Sequence, residues 1–144
     1  MADDEGRQLF CRVITPERVI FDEEVKRVIV RIADGDIGVL RDHAPVISTA
    51  HAGTVRILQD GETTVFAISD GFFKVSENLV QVLVEEAYAP KEIDVDEMEN
   101  RIEEIERELF ESSGNGEDFE SRRREAERRQ RVAESLVHVA REYG

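Results

Sequence analysis

Three histidines, one cysteine and 33 acidic side chains are the groups in this sequence that could bind a metal or move a proton. His43 and His51 lie eight residues apart in a loop-to-strand region, and His138 falls in a helical stretch. No pair has the i, i+4 helical spacing of a zinc protease, and the lone Cys11 permits neither an intramolecular disulfide nor a cysteine-rich zinc site. Neither a Gly-x-Ser-x-Gly elbow nor a glycine-rich phosphate loop is present. The carboxylates read as a solvated face, since no pair stands in an apolar context that would raise a pKa. A non-catalytic chain is therefore expected, with no cofactor. The sharpest charged feature is the arginine cluster Arg122, Arg123, Arg124, Arg128, Arg129 and Arg131. It reads either as a basic helix face answering an acidic neighbour, or as a detachable helix that binds acidic protein surface or a nucleotide phosphate.

The elements that carry these residues change period near Pro90. Before it, β-branched runs alternate with turn residues: Leu9–Ile14 before Thr15-Pro16, Val25–Ile32 before Asp34-Gly35, and Val55–Leu58 before Asp60-Gly61. Thr63–Ile68, Phe72–Val75 and Leu79–Val84 complete the series. Short strands with turn signals at such spacing predict an all-β sandwich or barrel. After Pro90 the period is helical. Asp94 and Glu97 can form a capping box, and Met98, Ile102, Ile105 and Leu109 draw one apolar seam. Ser112 to Gly116 breaks the helix. A second helix from about Glu117 carries Ala126, Ala133 and Ala140 at seven-residue intervals, joined by Leu136, Val137 and Tyr143. The expected architecture is an N-terminal β-sandwich over residues 1–90 and a C-terminal antiparallel helical hairpin over residues 91–144. Because the seam is narrow and alanine-rich, modest burial and a movable hairpin are expected.

Charge divides along the same lines. The 144 residues carry a net −14, with 19 basic against 33 acidic side chains. Residues 91–120 hold 13 acidic and 3 basic side chains (net −10), whereas residues 121–144 hold 4 and 7 (net +3). The two helices should attract when side by side, fixing the pairing more than the stability. The overall acidity argues against nucleic acid and anionic lipid as main partners. No apolar run approaches membrane-spanning length, and the acidic start Met1–Glu5 is unlike a signal peptide. A soluble, intracellular chain is expected.

The segment Gly35-Asp36-Ile37-Gly38-Val39-Leu40-Arg41-Asp42-His43-Ala44-Pro45 closely resembles the Gly-acid-x-Gly-x-Leu-x-x-His-Ala-Pro signature of the ε subunits of bacterial F-type ATP synthases. Ser69-Asp70-Gly71-Phe72-Phe73-Lys74-Val75, the Val80–Leu83 strand and the Ile93-Asp94 helix opening extend that resemblance from about residue 7 to 143. It implies a β-sandwich and a two-helix domain in the rotor's central stalk, bound to the γ subunit and the c-subunit ring. It further implies torque transmission by the sandwich in a proton-translocating motor. The hairpin would extend toward the α and β subunits and restrain ATP hydrolysis. The expected place is peripheral, on the cytoplasmic face of the bacterial plasma membrane, with membrane association only through the complex.

Residue by residue, the resemblance assigns Asp36 to the contact with the c-ring loops, and Arg41, Asp42 and His43 to the same contact region. Arg41-Asp42 departs from the family's usual Pro-Gly or Pro-Asn. The arginines of the second helix become the inhibitory surface. Some family members bind ATP through an Ile/Leu-Asp-x-x-Arg-Ala motif. Here Ile93-Asp94-Val95-Asp96 runs into Glu97-Met98, and an acid at the arginine position repels phosphate. Asp94 with Arg124 and Arg131 remains as a weak nucleotide set. A stand-alone ATP-sensing module is the alternative function, and an enzyme built on His43 and His51 is a distant third.

Overall fold

The computed structural model describes residues 8–111 and 116–144, the side chain of Glu117 excepted. Among these residues ten strands form two five-stranded sheets. The strands are β1 (Leu9–Ile14), β2 (Val19–Val25), β3 (Arg27–Ile32), β4 (Gly35–Val39), β5 (Val46–Ala50), β6 (Gly53–Gln59), β7 (Glu62–Ile68), β8 (Gly71–Ser76), β9 (Leu79–Val84) and β10 (Ala87–Tyr88). The first sheet has the order β2-β1-β9-β8-β5 and the second β10-β7-β6-β3-β4. All neighbours pair antiparallel except β1 and β9, which run parallel from Phe10 opposite Leu79 to Ile14 opposite Leu83.

Period-two alternation places the core between the sheets. Leu9, Cys11 and Val13 of β1, Val80, Val82 and Val84 of β9, and Phe73 and Val75 of β8 point inward. They meet Val28, Val30, Val39, Val55, Ile57, Phe66 and Ile68 of the second sheet. Phe21 and Phe66 meet edge-on with centroids 6.0 Å apart. Gly71 is required by space: a Cβ there would collide with the Leu83 carbonyl on the neighbouring strand.

The Val25–Ile32 run does not form one strand. It breaks at Lys26, whose N–H donates to the Leu58 carbonyl at 2.8 Å, so β2 ends and β3 begins there. The Asp60-Gly61 hairpin forms as expected, with Gln59 opposite Glu62 and Gly61 at φ +78°.

A 3₁₀ turn at Pro90–Glu92 leads to helix α1 (Val95–Glu111), and helix α2 covers Glu117–Tyr143. Asp94 caps α1, its carboxylate accepting the Glu97 N–H at 3.1 Å. The loop expected at Ser112–Asn115 lies outside the described residues. The pairs Glu108–Arg129 (3.2 Å) and Glu99–Arg141 (3.3 Å) fix the helices as antiparallel neighbours, since position rises on one as it falls on the other.

Met98 and Ile105 are buried as the seam predicted, with Ile102 and Leu109 half-buried. On α2 the seam is wider than expected. Val132 and Val139 are buried beside Ala126, Ala133, Leu136, Val137 and Ala140, whereas Tyr143 remains 42% exposed. The reason is a second packing face. Leu136, Val132 and Val139 share a cluster with Ala67 of β7, Ala52 and Tyr88, so the hairpin lies on the outer face of the second sheet. A helix wedged between a partner helix and a sheet buries two adjoining stripes.

Candidate interaction surfaces

The residues assigned to the ring contact lie along one edge. β4 is the edge strand of the second sheet, and Asp36 stands exposed near its start. Its carboxylate is held between Arg31 (3.4 Å) and Arg56 (3.2 Å), side chains from the two strands beyond it. Arg41, Asp42 and His43 follow the other end of β4, so Asp36 and Leu40 are separated by roughly 13 Å of strand. The four residues thus lie along one edge of the sheet.

The departure from Pro-Gly at 41–42 leaves the turn intact. The Leu40 carbonyl accepts the His43 N–H at 3.2 Å, and Asp42 takes φ +64°. This is the pattern of a type II turn, whose third residue is ordinarily glycine or asparagine. Asp42 is held there by Asn78, whose side-chain oxygen accepts the Asp42 N–H at 2.6 Å and whose amide donates to the Asp42 carboxylate at 3.3 Å. His43 Nδ1 lies 2.7 Å from the Ala44 carbonyl, which suits a protonated Nδ1.

The arginines of α2 serve several partners rather than the acidic helix alone. Among the described residues, Arg129 is the one member of the cluster that pairs with α1, through Glu108. Arg123 and Arg128 pair within their own helix, with Glu127 at 3.1 Å and Glu125 at 2.8 Å. Arg122 and Arg124 donate to the Asp118 and Glu120 carbonyls. Arg131 reaches the sandwich, its guanidinium 2.9 Å from Asp70, with Arg128 at 4.0 Å from the same carboxylate oxygen. The other Asp70 oxygen accepts the Ala52 N–H at 2.9 Å.

The weak nucleotide set does not converge. Asp94 caps the start of α1, whereas Arg124 sits near the opposite end of the hairpin. A helix rise of 1.5 Å per residue separates them by roughly 28 Å and puts Arg131 about 18 Å from Asp94. Arg131 instead lines an open cleft of about 350 Å³ with Arg31, His51 and Asp70. His51 donates its N–H to the Arg31 carbonyl, and His138 lies exposed beside Glu142 at 2.9 Å. Among the described residues no three His, Cys, Asp or Glu side chains are grouped to hold a metal.

Two features escaped the sequence. Glu86 accepts from Tyr88 Oη (2.6 Å) and Arg101 (3.1 Å), tying α1 to the end of the sandwich. Burial, reinforced by the Glu86 carboxylate, pushes the Tyr88 phenol up to about 12. Burial works to lower the Arg101 pKa, but hydrogen bonding and charge from Glu86 outweigh it and the net shift is upward. Arg101 lies 15 residues from Glu86, on a helix, so the group leaves no local spacing signal.

The second feature is the outer face of the first sheet. Register aligns Val19, Ile14, Leu83 and Phe72 in one row across four strands. Val19 and Phe72 are 51% and 53% exposed, and Phe10 and Ile47 also stand exposed on the same sheet. A shallow hollow of about 280 Å³ is lined by Ile14, Pro16, Phe72, Leu83 and Val84. The second sheet has its outer face covered by the hairpin. None of the described residues covers that of the first, and contiguous exposed apolar rows of this kind mark docking sites.

Comparison with known proteins identifies the family. A family described as ATP synthase, Delta/Epsilon chain, beta-sandwich domain matches residues 8–90. The ATP synthase epsilon chain of Rubrobacter xylanophilus is 57% identical over 141 residues, covering 97% of each chain. That of Alkaliphilus oremlandii is 36% identical over 103 residues, covering 72% of this chain and 77% of its own. Among solved structures, a chain in the Euglena gracilis mitochondrial ATP synthase OSCP/F1/c-ring assembly superposes with a TM-score of 0.68 at 23% identity. That superposition covers 90% of this chain and 79% of the other. A chain from the central stalk/c-ring of the Tetrahymena thermophila mitochondrial enzyme gives 0.56 at 12% identity, covering 91% and 97%. At those identities the likeness shows a shared fold. With the sandwich matched along its whole length and a relative aligned through both helices, this chain belongs to the epsilon-chain family of ATP synthases.

Proposed function

We propose that this chain is the non-catalytic central-stalk subunit of a proton-translocating F-type ATP synthase, coupling rotation of the c ring to ATP synthesis. The sandwich (residues 1–90) is the coupling domain and the hairpin (residues 91–144) the regulatory one. The observation that carries the reading is the apolar row Val19, Ile14, Leu83 and Phe72 on the uncovered sheet. In this reading the row docks on the γ subunit, and the β4 edge with Asp36, Arg41, Asp42 and His43 meets the c-ring loops. Charged groups suit that second contact, since hydrated loops are recognised through polar groups. No helix among the described residues is long and apolar enough to cross a membrane, and in this reading the chain is held at the membrane through the complex. Its place is the cytoplasmic face of the bacterial plasma membrane.

The hairpin supplies regulation. Docked as described, α2 spends Arg131 and Arg128 on Asp70, and Arg129 on Glu108. Once α2 leaves both the sandwich and α1, Arg131 and Arg129 lose those partners and, with Arg122, Arg123, Arg124 and Arg128 on the same helix, meet acidic surface on the α and β subunits and hold back ATP hydrolysis. The test is ATPase activity of the assembled complex carrying either the full chain or a chain ending at Glu92. Faster hydrolysis by the truncated form is expected, and equal rates overturn the inhibitory role. A Phe72→Glu variant tests the stalk contact: it should fail to co-purify with γ, and normal recovery overturns the docking face.

A further inference from the structure

Asp42 is one of three non-glycine residues with a left-handed backbone among the described residues, and the other two, Glu77 (φ +49°) and Asn78 (φ +62°), form the turn that touches it. The β8–β9 hairpin turn belongs to the first sheet. The Leu40–His43 turn follows the edge of the second and crosses to β5 at the edge of the first. Asn78 therefore joins two turns that are 36 residues apart in sequence and that end different sheets. Its backbone is committed to the first sheet, because its carbonyl accepts the Phe10 N–H at 2.8 Å. Its side chain is committed to Asp42 through two hydrogen bonds, one to the backbone and one to the carboxylate. The Leu40–Asp42 segment lines an open hollow of about 390 Å³ together with Gln8, Leu9, Val25 and Lys26. Leu40, Arg41 and Asp42 are all exposed.

We propose that Asn78 is the positioning residue for the Leu40–His43 turn: its side chain holds Asp42 in the left-handed conformation and thereby sets where Arg41, Asp42 and His43 meet their partner. Glycine would adopt φ +64° without help, whereas an aspartate there needs compensation. Two bonds from one side chain that is itself anchored in a sheet ladder supply it. The link also makes the turn move with the first sheet, whose apolar row is the proposed γ contact, so load taken by that sheet passes directly to the β4 edge. The proposal rests on the reading of this edge as the ring contact, and its test has one arm that does not.

The first arm uses the isolated full chain and amide hydrogen exchange. Asn78→Gly keeps the backbone of the β8–β9 turn, because glycine accepts φ +62°, and removes only the side-chain bonds. Exchange of the Asp42 and His43 amides should accelerate at least tenfold, while the β8 and β9 amides stay within twofold of the unmodified chain. In an Asp42→Gly background the same substitution should change His43 exchange by less than threefold, since the turn then holds its own geometry. Unchanged Asp42 exchange in Asn78→Gly, or an equal effect in both backgrounds, overturns the proposal. The second arm uses the assembled complex in membrane vesicles and reads protons pumped per ATP hydrolysed. A loosened turn should lower that ratio at least twofold with ATPase activity unchanged, which a merely stabilising residue would not do. Faster exchange with an undiminished ratio upholds the Asn78 bond and overturns the ring contact assigned to the turn.

Discussion

Asp70 offers a way to measure what holds the hairpin against the sandwich. One carboxylate oxygen accepts the Ala52 N–H within the sandwich, and the other faces Arg131 at 2.9 Å and Arg128 at 4.0 Å on α2. Side-chain exposures are 23% for Asp70, 61% for Arg131 and 39% for Arg128. Half-exposed pairs of this kind contribute a few tenths to one kcal/mol each, so the two together should hold α2 by about 1 kcal/mol at low salt. Asp70→Asn keeps an acceptor for Ala52 and removes only the charge. Asp70→Ala also strands the Ala52 N–H, which adds ~1–3 kcal/mol to the loss for the whole fold. Two assays separate these quantities. Native-state hydrogen exchange of the α2 amides from Val132 to Val139 should show opening eased by about 1 kcal/mol in both variants. Urea unfolding of the sandwich should show the extra loss in Asp70→Ala alone. In 1 M salt the screening length falls to ~3 Å, and the Asp70→Asn effect on α2 should vanish. If α2 opens no more readily in Asp70→Asn, or if the effect survives 1 M salt, apolar packing of Leu136 and its neighbours is the sole restraint and the ionic argument fails.

Other outcomes follow from the titrating groups and the core. Tyr88 is held up at about 12 by burial and Glu86, above the ordinary value of 10.0. The fold favours its neutral form, so this contribution to stability is complete below pH ~10 and lost as pH rises toward 12. With Tyr143→Phe removing the other phenol, ultraviolet titration should place Tyr88 near 12 and Glu86→Gln should bring it down; titration near 10 refutes the assignment. Cys11 is fully buried, and burial first, then Asp22, pushes its thiol up to about 12. A thiol-directed reagent should leave the native chain unlabelled and label it fully in denaturant; rapid native labelling would contradict that burial.

The strands that the sequence revealed are those buried on at least one face by alternating β-branched residues, such as Val28 and Val30 or Val80, Val82 and Val84. Of the strands it concealed, β2 and β5 are the edges of the first sheet and the two-residue β10 is an edge of the second. Asp22, Glu23 and Glu24 charge the exposed side of β2, and Ser48 and Thr49 dilute β5, which is how edges resist pairing with other chains. The hairpin was legible as a seam because Met98, Ile105, Ala126 and Ala133 repeat at helical spacing. The docking of Val132 and Val139 on the second sheet was not, because nothing local distinguishes a face that meets a helix from one that meets a sheet. The same limit applies at the β4 edge. Its signature residues could be read from a motif, but the compensation of Arg41-Asp42 by Asn78 crosses 36 residues and has no periodicity to betray it.

The parallel pairing of β1 with β9 dictates when the sandwich can close. β1 lies inside the first sheet between β2 and β9, so one of its edges stays open until the chain has been synthesised through Val84. Until then Phe10 through Ile14 offer an unpaired strand edge to any neighbour, including another nascent copy. Closing a loop of that length is slow compared with forming the local hairpins β6–β7 and β8–β9. The α1–α2 pair, contiguous in sequence, can form only after the sheet it rests on has been translated. The order of synthesis therefore finishes the sandwich before it supplies the two helices.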